Sequence, residues 1–179
     1  MKIVVISDCH GDIDAIRRIA QTEYKGDLFL MLGDSELPSD MITPFVSVKG
    51  NCDHFYDYPL EKIIKTPYGN ILMEHGHLRN EISIDYLKEK ECKIYLFGHT
   101  HRHMLKKIDE FYFANPGSVS RPRDDTNGSY LVIEADSNGF NFIFKYITEL
   151  LRNKYSCFIP TTVTIDENEI PAFYSEILE

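Results

Sequence analysis

No apolar run in the chain approaches the ~20 residues of a membrane-spanning helix, so a membrane partner is not expected. Positive charge is scarce. Lys and Arg number 19 against 28 Asp and Glu, a formal net charge of −9. Nucleic-acid binding calls for a basic face, so no nucleic-acid partner is expected. A polyanionic substrate would have to meet local positive charge from another source, and bound metal supplies it. Cysteines are few as well: Cys9, Cys52, Cys92 and Cys157 stand far apart, with no C-x-x-C pair. The opening stretch Met1–Asp8 is too short and too soon acidic for a secretory leader. Reduced thiols and a cytoplasmic location are therefore the expectation, and Asn127-Gly128-Ser129 reads as a turn rather than a glycan acceptor. Internal repeats, low-complexity tracts and Ser/Gly linkers are missing. So are a G-x-x-x-x-G-K loop and a G-x-S-x-G elbow, which leaves the nucleoside-triphosphatase and serine-hydrolase readings without support.

What is present is an ordinary globular balance. The chain has 179 residues, 43% hydrophobic and 26% charged, which suits one domain over residues 1–179, with 147–179 as a C-terminal extension. Lys2–Ser7, Leu28–Leu32, Phe45–Val48 and Ile94–Phe97 are apolar runs of the buried-strand type. Asp12 can cap a helix that places Ile13, Ile16, Ile19 and Ala20 on one face. Ile63-Ile64 and Ile71–Met73 flank a turn at Tyr68-Gly69-Asn70, and Ile84–Glu91 reads as a short helix. Phe111–Ala114 is strand-like, and Asn138-Gly139 joins Leu131–Ala135 to Phe140–Tyr146 in a hairpin. A helix near Glu149–Lys154 and an irregular end close the pattern. Strands alternate with helices early and dominate later, which predicts an α/β sandwich of two sheet layers with helices outside.

Metal-capable residues recur at the ends of these strands. Asp8 and His10 follow the first, Asp34 the second and Asn51 the third. His75 and His77 follow the strand ending at Met73, and His99 and His101 the one ending at Phe97. In α/β sheets such ends open into the crevice where sites are built. A single histidine there reads as a hydrogen-bonded loop residue; five strands that each deliver Asp, Asn or His to the same place read as a metal centre.

The blocks Asp8-Cys9-His10-Gly11, Gly33-Asp34, Gly50-Asn51-Cys52-Asp53, His75-Gly76-His77 and Gly98-His99-Thr100-His101 stand in the order of the calcineurin-like metallophosphoesterase motifs. Asn115-Pro116-Gly117-Ser118 resembles a signature of the small prokaryotic YfcE-like phosphodiesterases. The resemblance covers roughly residues 2–145 and implies a four-layer α/β/β/α sandwich. It also implies that Asp8, His10, Asp34 and His101 hold one divalent ion and that Asp34, Asn51, His75 and His99 hold a second, with Asp34 bridging. A bridging ligand must offer two oxygens, whereas Asn51 ligates without adding charge, so the two cations outweigh the two carboxylates and phosphate is attracted. This donor mixture suits manganese first, with iron, zinc or nickel as alternatives, and not calcium. The implied reaction is hydrolysis of a small phosphodiester or nucleotide by a metal-bridging hydroxide. Asp34, Asn51 and His77 are then the residues closest to the chemistry, with His77 either touching substrate or making a structural hydrogen bond. The alternative is a catalytically weak or inactive scaffold for protein binding. The full ligand set argues against it, and the acidic charge argues against a nuclease. Homo-oligomerisation stays open.

Among the remaining residues, Asp53 reads as a loop-orienting carboxylate, Cys9 as a buried filler, and Asn115–Ser118 as a turn that buttresses the site. Arg121 and Arg123 read as surface pairing residues, with phosphate contact the alternative. Cys52 occupies a place where much of the superfamily has a histidine thought to protonate the leaving oxygen, and the YfcE-like subgroup commonly lacks that histidine too. Either no residue supplies the proton, or His77 or His54 does.

Overall fold

The structure, a computed structural model, describes residues 1–79 and 82–147. The expected helix near Glu149–Lys154, the irregular end after it and Cys157 lie outside the described residues, as does the middle of the loop between Leu78 and Ser83. The elements in chain order are β1 (Lys2–Ile6), α1 (Ile13–Thr22), β2 (Leu28–Met31), β3 (Val46–Ser47), β4 (Glu61–Ile64) and β5 (Asn70–Glu74). After them come α2 (Ile84–Glu89), β6 (Cys92–Leu96), β7 (His103–Ile108), β8 (Phe111–Pro116), β9 (Ser129–Asp136) and β10 (Gly139–Tyr146).

The strands form two five-stranded sheets, ordered β10-β9-β1-β2-β3 and β4-β5-β6-β8-β7. Side chains alternate across a strand, and each sheet uses both faces. Ile3, Val5, Leu30 and Leu32 of the first sheet meet Ile71, Met73, Ile94 and Leu96 of the second in a fully buried layer between them. The opposite face of β1, through Val4 and Ile6, packs on Ile16 and Ile19 of α1. On the far side of the second sheet, Leu72, Tyr95 and Phe113 pack with Leu87 of α2. Helix, sheet, sheet and helix give the four layers. Each fully buried Ile or Leu contributes ~1.5–3 kcal/mol, so the inter-sheet layer sets the position of everything at its edge.

Asp12 caps α1, its side chain accepting from the Ala15 N–H at 3.1 Å. β1 runs parallel to β2 and β2 to β3, while β5, β6 and β8 are mutually parallel. Parallel neighbours end on the same side, so the loops after β1, β2, β3, β5 and β6 converge there. The third strand is shorter than the sequence pattern suggests, only Val46–Ser47, because Phe45 and Val48 are buried by packing outside the ladder. β7 was not foreseen at all. No described helix is long and apolar enough to cross a membrane.

Candidate metal centre

Five of the expected ligand residues occupy left-handed backbone: Asp8 (φ 53°), His10 (45°), Asp34 (51°), His99 (65°) and His101 (60°). Such conformations are uncommon outside glycine, and they persist at functional sites where surrounding bonds hold them. Here the bonds are visible. The Asp8 N–H donates to Gly33 O at 3.1 Å and the His10 N–H to Asp34 O at 2.9 Å. Asp53 Oδ2 accepts from the N–H groups of Asp34 and Gly50, both at 2.8 Å, and its Oδ1 accepts from the Glu36 N–H at 2.8 Å. Asp53 thus ties the loop after β2 to the loop after β3. Asn115 Nδ2 donates to Gly98 O at 2.7 Å and Ser118 Oγ to Asp8 O at 2.8 Å, so the Asn115–Ser118 turn buttresses loops from both sheets. Glycine is required at Gly50 and Gly98. A Cβ there would lie 2.0 Å from Asp34 Oδ1 and 2.0 Å from Ser7 Oγ, respectively.

Three imidazoles are pinned through Nδ1: His10 to Glu36 Oε1, His75 to Leu32 O and His101 to Arg121 O, each at 2.6 Å. Carboxylate and carbonyl oxygens only accept, so each Nδ1 carries a proton and a neutral ring offers its Nε2 lone pair inward. Those atoms converge. His101 Nε2 lies 3.1 Å from Asp8 Oδ1 and 3.5 Å from His10 Nε2. His75 Nε2 lies 3.4 Å from Asp34 Oδ2, 3.2 Å from Asn51 Oδ1 and 4.0 Å from Asp8 Oδ1. Asp8 Oδ1 is buried without a hydrogen bond. Lone pairs facing one another in a buried place demand a cation. The donor set therefore fits divalent metal. Asp8, His10 and His101 can place donor atoms within 4.8 Å of one another, and so can Asp8, Asp34 and His75. Asp8 is common to both groups, whereas the resemblance gives the shared position to Asp34. Asp34 touches His75 and also lines a cavity of about 390 Å³ with His10 and His101.

Without metal, the carboxylates control the protonation of these histidines. Burial lowers the His75 pKa, but Asp34 and Asp8 outweigh it and raise it; Asp8 is the main cause of the rise at His101. Burial likewise opposes ionisation of Asp34, yet His75 and the Cys52 N–H hold its carboxyl well below the usual range. His77 and His99 are both lowered, by burial and then by the charge of His75.

The other anticipated residues are near but differently placed. His99 and Asn51 line the same cavity as Asp34, and the His99 ring centroid is 5.3 Å from that of His75. The His77 ring is 5.4 Å from His75, and its Nδ1 is buried without a partner. Cys9 is fully buried in the α1 layer, as a filler should be. Surface pairing of Arg121 and Arg123 is not what the structure shows. Both line the cavity, and neither guanidinium makes an ion pair among the described residues. The loop wraps His101, whose O accepts from the Arg123 N–H at 2.9 Å, and this carries the two arginines to the rim. Glu36, which orients His10, was missed by sequence reasoning; its only signal was a carboxylate two residues beyond Asp34.

Comparison with known proteins agrees with this geometry. A curated relative, "Probable metallophosphoesterase YsnB" of Bacillus subtilis, is 31% identical over 77% of this chain and 86% of its own length. "Phosphodiesterase YfcE" of Escherichia coli K12 is 27% identical over 76% of this chain and 89% of its own length. A crystal structure of a conserved uncharacterized protein of Streptococcus pneumoniae, titled a predicted phosphoesterase, superposes with a TM-score of 0.75 at 32% identity, covering 81% of this chain and 88% of that one. The sequence model of the calcineurin-like phosphoesterase superfamily domain matches residues 1–138, and with the four-layer fold and its converging donors this chain belongs to that superfamily, whose members use divalent metals.

Proposed function

We propose that the protein is a dimetal-dependent phosphoesterase that hydrolyses small phosphodiesters, including nucleotide esters, in preference to monoesters. The observation that carries this reading is the convergence of inward Nε2 atoms on the unpartnered Asp8 Oδ1 and on Asp34 Oδ2. Asp8, His10, Asp34 and His101 would hold one ion, and Asp34, Asn51, His75 and His99 the other, with manganese the favoured metal. When bound, such ions neutralise phosphoryl charge and make water acidic enough to furnish a nucleophile at neutral pH. The chain's own groups do the rest. Asn51 presents an amide oxygen, so it adds no negative charge against the phosphate. Arg121 and Arg123 bring two guanidinium groups to the cavity rim, where a phosphate oxygen can accept from them. His77, with a lowered pKa, lines the neighbouring cavity and is the remaining candidate for a hydrogen bond to substrate. The names of YfcE and YsnB support a phosphoesterase activity of this kind.

The test is a panel of phosphodiesters and monoesters offered to metal-stripped protein with manganese, iron, zinc or nickel added back. Restored diester turnover with weaker monoester turnover is expected. Full turnover of the stripped protein would overturn the reading. An inactive protein that still binds metal would favour the scaffold.

A further inference from the structure

A larger cavity, about 570 Å³, shares a wall with the metal centre and opens on the outer face of the second sheet. His99 lines both cavities. The six-residue α2 borders the larger cavity through Ile84. That helix covers β6 through Leu87, which packs with Leu72, Tyr95 and Phe113. Beyond the helix, Phe97 and Met104 remain half exposed and face the cavity, on the side that leads to His77 and His99. The floor is aromatic. Tyr95 and Phe97 are stacked with ring centroids 5.1 Å apart and planes 12° from parallel, and Phe113 meets Tyr95 edge-on at 6.2 Å. The Tyr95 hydroxyl is engaged by Glu74, which leaves its ring as an apolar surface.

One wall is rigid. Arg79 Nε lies 3.1 Å from Glu74, its terminal nitrogen lies 3.4 Å from Glu61, and its guanidinium sits 4.8 Å from the Tyr86 ring centroid. Its charge is met by two carboxylates, so it shapes the pocket without drawing in an anion. Lys106 also lines the cavity and makes no ion pair among the described residues.

We propose that this cavity receives one ester substituent of the substrate and selects a planar aromatic group, an aryl ring or a nucleobase. The proposal rests on the phosphodiesterase reading. A phosphorus seated in the smaller cavity would have His99 beside it, and His99 also lines the larger one. A substituent joined directly to that phosphorus would therefore enter without a spacer. The volume falls in the ~300–1,000 Å³ range of small-molecule sites. A flat ring lying against Phe97 gains offset or edge contact with the aromatic floor, which an aliphatic ester of similar size lacks.

Three methylphosphinates, each called by the ester it mimics (isopropyl, phenyl and thymidine 5′) and carrying a methylene group in place of the ester oxygen so that no P–O ester bond is left to hydrolyse, separate the possibilities when titrated calorimetrically into the metal-loaded full chain. Bis(p-nitrophenyl) phosphate turnover is measured on the same preparation. The phenyl and thymidine esters should bind about tenfold more tightly than the isopropyl ester. Thymidine ahead of phenyl identifies a nucleobase, and phenyl ahead identifies a simple aryl group. Met104→Trp, which fills the pocket, should bring the three affinities to near parity. Phe97→Leu, a milder change, should shrink the preference if the tryptophan variant does not fold. Equal wild-type affinities alongside normal turnover overturn the pocket while the hydrolytic reading stands. Aromatic preference without turnover sinks the hydrolytic reading and leaves the pocket as a site for aromatic esters. No binding of any ester overturns both.

Discussion

Glu36 reaches the metal centre through a single bond, 2.6 Å from its Oε1 to His10 Nδ1. That bond fixes the ring so that Nε2 points toward Asp8 and His101, and partners of this kind typically change metal affinity 10–100-fold. Glu36→Ala should weaken metal binding by about that factor in a calorimetric titration. Glu36→Gln, which keeps an acceptor oxygen, should recover most of it. Equal affinity in the alanine variant would show that His10 is held by other contacts. The bridging role proposed for Asp34 can be tested by counting metal. Asp34→Asn should lose both ions and His101→Ala only one, as read by elemental analysis of the purified variants; one ion lost in each would remove Asp34 from the shared position. Cys52 makes a different prediction. Burial, followed by the neighbouring Asp34, pushes its thiol up to about 11, far from the neutral pH at which a general acid works best. A positioned acid is worth ~10²–10⁴-fold, so its lack should show as strong dependence on the leaving group. Turnover of aryl phosphodiesters should fall steeply with leaving-group pKa in the wild type and less steeply in Cys52→His. A flat wild-type series that steepens in His77→Ala would name His77 as the acid instead. The residues that the structure brings together at the candidate centre were legible in the sequence because metal-binding chemistry draws on Asp, Asn and His, here at strand ends. Glu36 and Arg121 were not, because their reach depends on loop backbone, as the positive φ of 55° at Glu36 illustrates.

Among the elements, β7 (His103–Ile108) is the clearest case of what the pattern hides. It lies at the sheet edge, pairs only with β8, and contains Lys106-Lys107. Edge strands carry such charges because one side of their ladder faces solvent, and the same charges blur the alternation that betrays a strand. The central strands, buried on both faces, read plainly as apolar runs. Where β7 begins, Asp124 anchors the loop that follows β8. Its Oδ1 accepts from the Thr126 hydroxyl at 2.5 Å and from the Thr126 N–H at 3.2 Å, and its Oδ2 accepts from the His103 N–H at 2.9 Å and from His103 Nδ1 at 2.8 Å. Burial alone would raise this carboxyl, but these bonds bring it to about 2 from 3.8. A depressed carboxyl stabilises the fold above its unfolded pKa and loses that contribution as pH falls through its folded value. Asp124→Asn should therefore lower the melting temperature at pH 7. The gap from wild type should close between about pH 4 and pH 2 in parallel thermal scans. A gap that persists unchanged at pH 2 would mean that Asp124 acts through shape and not through charge.

At the scale of the molecule, the centre lies where the two sheets come together. The first sheet delivers Asp8 and Asp34, and the second delivers His75, His99 and His101. Ions shared between these groups would clamp the layers, so ligation should appear in folding stability as well as in turnover. Metal present at 100 times its dissociation constant adds ~2.7 kcal/mol. At ~2–4 °C per kcal/mol for a chain of this size, chelation should lower the melting temperature by roughly 5–11 °C. The sign of the pH dependence follows from the histidines. In the metal-free protein, His75 and His101 have raised pKa values. A raised histidine contributes stability that is complete below its unfolded pKa of ~6.5 and is lost as pH rises through the folded value. Bound metal needs the same rings neutral, so the loaded form gains where the stripped form loses. The difference in melting temperature between loaded and stripped protein should therefore widen from pH 6 to pH 8, as measured by scanning calorimetry with and without chelator. An unchanged melting temperature on chelation would remove the metals from the structural account. A gap that narrows with rising pH would show that protons and metal do not compete for His75 and His101.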